Sequence, residues 1–306
     1  MLAQYNTCLK KFWEFYTSND YTFPPNDYDL LPIIVTFLNE EAEKSDRPES
    51  MLKSMTSALK HWATANDLCI DQKLLDNFVK ALIRVNTIKP KGRTKILPIQ
   101  TFLEMFRKWG HNEGLKMCKL RQKTITLLAF AAMCRPSDIA PSIGFKRSQI
   151  NFVKEGMVIK FFGTKTDASR TGHEILIKRA SETIIDPVQC MEDYLARTKS
   201  LVTDQDEGPV FISLKSPFTA LSASGVADTL NKCIVEAGLK QTDGFSARCF
   251  RPTGATAYVS SGVEHHITRS LGRWKSEECF NERYVYPLSA ISATDKMLQA
   301  NLTGAG

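Results

Sequence analysis

The chain has no run of 18 or more apolar residues, no C-x-x-C pair, and no cluster that joins its eight cysteines to its five histidines. A helix that spans a bilayer needs about 20 mostly apolar residues, so none is expected here. The N-terminus opens on an amphipathic pattern and lacks the short apolar core of a secretion signal, so export is not expected either. The scattered cysteines (Cys8, Cys69, Cys118, Cys134, Cys190, Cys233, Cys249, Cys279) give no metal-ligand spacing and fit a reducing interior compartment.

What is present is an ordinary globular composition, 43% hydrophobic and 24% charged, over 306 residues, a length that allows two domains with a core each. The net charge of +7 is unevenly spread. Residues 1–87 hold nine Lys/Arg against twelve Asp/Glu, a balance of −3, which leaves 31 against 21, or +10, for residues 88–306. A basic second domain suggests a polyanionic partner, most often nucleic acid.

Four segments near the N-terminus carry apolar residues at helical spacing: 2–17, 29–43, 49–66 and 72–86. Proline-rich breakers separate the first three, and the pattern predicts a bundle of about four helices over residues 1–87. The stripe of Tyr5, Cys8, Leu9, Phe12, Trp13 and Tyr16 reads as core. Residues 88–97 follow, with Lys89, Lys91, Arg93 and Lys95 at alternate positions among Pro90, Gly92 and Pro98. In an extended chain these four cations project to one side. Such a segment can lie along a phosphate backbone or serve as a solvated linker.

Residues 98–306 read as a mixed second domain, so the fold class is α+β and mostly helical. Helices are expected over 98–109, 115–133, 186–198 and 220–237, a β-hairpin over 156–162 and 173–179, and a short strand over 209–213. Arg135 stands at the end of a buried helix, where a charge needs a partner or a ligand, and Asp138 is the local group able to orient it. Lys165 lies near the start of the hairpin loop. His173 has no second metal ligand at a suitable spacing, and His265 and His266 read as cap or surface residues.

The most informative stretch runs from Ser246 to Tyr286. It contains Arg248 and Arg251, a helix of small residues opened by Pro252, the run Leu271-Gly272-Arg273-Trp274, and the phenols Tyr284 and Tyr286. Guanidiniums present forked donors that match phosphate oxygens, an indole adds one more donor, and a phenol can act as a covalent nucleophile. Together these groups suit a site that holds a phosphodiester and attacks it with an aromatic hydroxyl.

In this order, Arg135, Lys165, Arg251, Trp274 and Tyr284 resemble the motifs of the tyrosine recombinases, or phage-integrase-like enzymes, over nearly the whole chain. The phrases running from Phe250 to Ala257 and from Gly272 to Ser276 look most like recombinases of the Crypton and DIRS mobile elements. The resemblance implies an N-terminal helical core-binding (SAM-like) domain, a linker, and a mixed α/β catalytic domain with a small antiparallel sheet. It implies double-stranded DNA as substrate, cleaved and rejoined through a 3′-phosphotyrosine intermediate without metal, ATP or other cofactor. Tyr284 is then the nucleophile, with Tyr286 as the alternative. Arg135, Arg251 and Arg248 neutralise the phosphate, Trp274 donates to it, and Lys165 protonates the leaving 5′ oxygen. A homo-tetramer on DNA, joined by exchange of the segment after Pro287, and a nuclear location in a eukaryote also follow. The chain departs from the family pattern at Arg248, where a histidine is usual, and a guanidinium cannot shuttle a proton. Two other readings stay open: a nicking-closing enzyme of the type IB topoisomerase kind, and a DNA-binding protein that keeps the fold without turnover.

Overall fold

The first four amphipathic segments become helices α1 (Leu2–Ser18), α2 (Asp27–Glu43), α3 (Glu49–Ala65) and α4 (Gln72–Asn86). The computed structural model describes residues 2–22, 25, 27–45, 48–86, 94–164, 167 and 169–284. The chain divides into two units, Met1–Gly92 and Arg93–Gly306. In the first, apolar residues three and four apart form one stripe per helix. Phe12 and Tyr16 of α1 meet Ile34 and Phe37 of α2, Leu52 and Leu59 of α3, and Leu75 and Leu82 of α4 in a common core. Trp13 departs from its predicted place in that core. With Phe12 and Tyr16 facing in, position 13 falls at the stripe's margin, 45% exposed, its ring stacked on Tyr16. Asp71 opens α4 by accepting the Leu74 N–H at 2.9 Å.

The second unit is built round α6 (Met117–Ala131), in which every residue from Leu120 to Phe130 except Arg121 is buried. A helix apolar on nearly all sides belongs at the centre of a domain. Its buried Lys123 is accommodated because the ammonium donates to Gly110 O at 3.1 Å and Asn112 Oδ1 at 2.9 Å, while burial pushes its pKa down. Around α6 lie α5 (Ile99–Trp109), the one-turn α7 (Pro136–Ile139), α8 (Pro187–Arg197), α9 (Ala223–Glu236), α10 (Phe250–Ser260), α11 (His265–Leu271) and α12 (Glu277–Arg283).

The hairpin has a third strand that the sequence pattern does not predict. The sheet is antiparallel in the order β1 (Ile150–Val153), β2 (Gly156–Phe161), β3 (His173–Lys178). Its register pairs Ile150 with Ile159 and Phe161 with His173. Met157, Ile159, Phe161, Ile175 and Ile177 face the core. The strand expected over 209–213 is absent. Pro209 has no N–H to donate, and the segment makes only isolated bridges, Lys146 to Pro209 and Ile212 to Ala220. Among the described residues no helix is long and apolar enough to cross a membrane.

Candidate active site

Two helix ends and one helix start meet at the site. After α6 the backbone turns through Met133 at φ +48°, and after α11 it turns through Arg273 at φ +61°. Each turn leaves a carbonyl at a helix C-terminus, where the helix dipole is negative and orphan acceptors favour a cation. Arg251, in the first turn of α10, supplies it: one amino group donates to Met133 O and the other to Gly272 O. A second residue of α10, Tyr258, donates its hydroxyl to Ala131 O at 2.9 Å.

Small side chains let α10 come this close. Thr253, Gly254, Ala255 and Thr256 are all buried, and a Cβ on Gly254 would stand 2.5 Å from Phe130 O. The same helix anchors the chain on both sides. Thr253 Oγ1 accepts the Leu97 N–H at 2.8 Å, and Thr256 Oγ1 donates to Tyr284 O at 3.2 Å.

Asp138, 1% exposed, is the carboxylate at the centre. Its Oδ2 accepts the Arg135 backbone N–H at 2.9 Å, Arg273 Nη2 at 3.3 Å and Arg251 Nη1 at 3.5 Å, while Arg135 Nη1 lies 3.9 Å away. Asp138 therefore grips Arg135 through its backbone more closely than through its guanidinium. Among the described residues, three guanidiniums against one carboxylate leave an excess of two positive charges in this cluster. Burial first, and then the neighbouring Arg135, push the Arg251 pKa down to about 10, with Asp138 acting the other way. Arg251 remains a cation at neutral pH.

The aromatic side of the site is Trp274, whose ring lies 4.0 Å from the Arg251 guanidinium carbon. Tyr284, just after α12, packs on that indole at 4.7 Å between ring centroids, and the Arg251 guanidinium is 5.7 Å from the phenol ring. Phe280 backs the indole at 4.9 Å. Arg251 Nε and Trp274 Nε1 are buried donors without a hydrogen-bond partner among the described residues, and Asp138 Oδ1 is an acceptor in the same state. Two adjacent unmatched donors inside a cationic cluster suit a ligand rich in anionic oxygen. Cys134, next to Arg135, is no rival nucleophile: burial pushes its thiol up to about 11.

A cleft of about 370 Å³ opens beside Arg273 and Trp274, lined also by Thr164, Asp167, His173 and Lys275. Asp167 closes the loop after β2 by accepting the N–H groups of Gly163 at 3.1 Å, Thr171 at 3.0 Å and Gly172 at 3.2 Å. These bonds hold its carboxyl below the usual range, against the opposing effect of desolvation.

Of the residues expected at the site, Arg135, Asp138, Arg251, Trp274 and Tyr284 come together. Arg248 stands in the turn Ala247–Cys249, exposed between two buried residues, and makes no ion pair among the described residues. Lys165 and Tyr286 lie outside the described residues, as do Lys89, Lys91 and Arg93 and the segment after Pro287. Lys95 is exposed, its ammonium 5.3 Å above the Phe245 ring. Sequence reasoning missed Arg273, whose signal was its place next to Trp274, and gave no role to His173, which lines the cleft. Among the described residues no three His, Cys, Asp or Glu side chains converge as metal ligands.

No family model matches the chain, and no curated protein matches it in sequence. Solved structures do. A post-cleavage complex of the XerH site-specific recombinase bound to palindromic difH substrate superposes with a TM-score of 0.63 at 13% identity, over 95% of this chain and 78% of that one. A lambda integrase (75–356) dimer bound to a COC′ core site gives 0.54 at 16% identity, over 90% and 85%. The Tn1549 transposon integrase (82–397) with circular intermediate DNA gives 0.55 at 14%, over 86% and 84%. A mostly helical chain with one small antiparallel sheet, aligned over nearly its full length with these enzymes, has the tyrosine-recombinase fold.

Proposed function

We propose that this protein is a site-specific DNA recombinase or integrase that works through a covalent protein–DNA intermediate. The observation that carries the reading is the convergence of Arg135, Arg251, Trp274 and Tyr284 round Asp138, with buried donors on Arg251 and Trp274 unmatched. The Tyr284 hydroxyl gives up its proton to solvent water, its oxygen forms a bond to the scissile phosphorus, and the bond from phosphorus to the 5′ oxygen breaks, giving a 3′-phosphotyrosyl link. Lys165 delivers the proton that the departing 5′ oxygen needs. Arg135 and Arg251 neutralise the non-bridging oxygens, which grow more negative in the transition state, and such preorganised stabilisation supplies the largest single effect. Trp274 adds its N–H to the same oxygens.

The reverse reaction, with a new 5′-hydroxyl as attacker, rejoins strands without ATP. Strand exchange on this scheme takes a homo-tetramer on DNA, with the segment after Pro287 passed between neighbours. The Gly272-Arg273-Trp274 phrase supports kinship with the Crypton and DIRS recombinases, and a nuclear site of action in a eukaryote.

Nicked duplexes of randomised sequence, incubated with the protein and resolved on a denaturing gel, test the reading. Wild type is expected to yield a covalent adduct and Tyr284→Phe none, with non-covalent affinity within about threefold. An adduct that survives Tyr284→Phe but not Tyr286→Phe moves the nucleophile to Tyr286. Arg248, a permanent cation where the family usually has a histidine, leaves no acid or base at that position and favours a second reading, a DNA binder without turnover. Intact binding with no wild-type adduct would establish that one.

A further inference from the structure

Helix ends of the second unit offer an internal comparison. After α5, α9 and α10 the chain turns through Gly110, Gly238 and Gly262, at φ between +79° and +89°. Glycine enters that region without the steric penalty of a Cβ. After α6 and α11 the positive-φ turns are made instead by Met133, at φ +48°, and by Arg273, at φ +61°, the latter with its side chain 3% exposed. A bulky residue held there is strained, and such strain persists where the surroundings over-determine it.

The surroundings of Arg273 are specific. Its guanidinium carbon lies 4.5 Å over the Phe161 ring at the end of β2, one amino group donates to Leu271 O at 3.3 Å, and the other reaches Asp138 Oδ2 at 3.3 Å. It thus pulls on the same carboxylate oxygen that Arg251 approaches only to 3.5 Å. A lone Arg–carboxylate pair closes to two short parallel bonds, and a guanidinium so paired has less charge to offer a ligand. With Arg273 holding Asp138, Arg251 keeps its Nε unmatched and faces Trp274.

We propose that Arg273 is a positioning residue of the site: it restrains the Asp138 carboxylate so that Arg251 stays available to the scissile phosphate. The proposal rests on the strand-transfer reading above. It assigns Arg273 an effect on the chemical step and little effect on DNA affinity, since its side chain is buried and its two amino groups are turned to Leu271 O and Asp138.

The test uses the full chain and a nicked duplex recovered from the wild-type adduct selection. Arg273→Gly removes the side chain and suits the backbone, so a folded variant is expected. Its single-turnover rate of adduct formation should fall about 100-fold while affinity changes less than about threefold. Added guanidinium ion should restore part of the rate to Arg273→Gly and none to Tyr284→Phe, a rescue that a merely structural role would not produce. If Arg273→Gly melts well below wild type, Arg273→Lys decides, since it keeps the charge and loses the fork. A rate at least about tenfold down supports the proposal. A wild-type rate in a folded variant, or no rescue by guanidinium, overturns it alone. Absence of adduct with wild type overturns it together with the reading it rests on.

Discussion

Arg251 illustrates how a single buried cation can be made tolerable and useful together. Its two amino groups close two helix C-termini, its plane lies against Trp274, and its Nε is left over. The carboxylate that offsets it is shared with Arg273, so Asp138 holds the site's charge balance. Replacing Asp138 by Asn keeps the shape and removes the one carboxylate that the described residues place among three guanidiniums. Losing one partner of a buried ionic network is strongly destabilising, so Asp138→Asn is expected to lower stability by about 3 to 5 kcal/mol. Chemical denaturation of the two proteins side by side checks this, and a loss under about 1 kcal/mol would mean that the carboxylate does not hold the cluster.

At the scale of elements, α10 is decisive because it carries Arg251, anchors Tyr284 through Thr256, and lies against the carbonyls of α6. A methyl group on Gly254 has nowhere to go, as the nearest atom is backbone. Gly254→Ala should therefore push the two helices apart at a cost of about 1 to 3 kcal/mol, seen as a lower melting temperature, and should also slow adduct formation because Arg251 moves with its helix.

Much of this architecture is legible in the sequence, and the parts that are not have physical reasons. Helices with a clear apolar stripe announce themselves by period, as α1 to α4 do, and α6 by its unbroken apolar run. The strand β1 escapes because four residues with an exposed Asn151-Phe152 centre carry no alternation to detect. Residues 209–213 mislead in the opposite sense: they are apolar because they are buried, with Val210, Phe211 and Ile212 in the core, and not because they pair as a strand. At the site, the resemblance to the tyrosine recombinases picks out Arg135, Arg251, Trp274 and Tyr284. Arg273 is not marked by any such motif, because it is a left-handed turn that carries its guanidinium to Asp138.

On the scale of the whole molecule, charge divides with the chain: the excess of basic residues falls after residue 87, and residues before it are net acidic. If DNA is the ligand, each phosphate neutralised releases counterions. The observed association constant should then fall steeply and linearly with salt on logarithmic axes, with a slope near −0.9 for each phosphate contact. Titrations at several salt concentrations check this, and a flat dependence would exclude a backbone-tracking interface.

One bond has a mechanical meaning. The Leu97 N–H enters the second unit by docking on the Thr253 hydroxyl, two residues beyond Arg251 on the same helix. The segment that leads into α5 is therefore pinned to the helix that carries Arg251, so a disturbance at Leu97 reaches the arginine through less than one turn of α10.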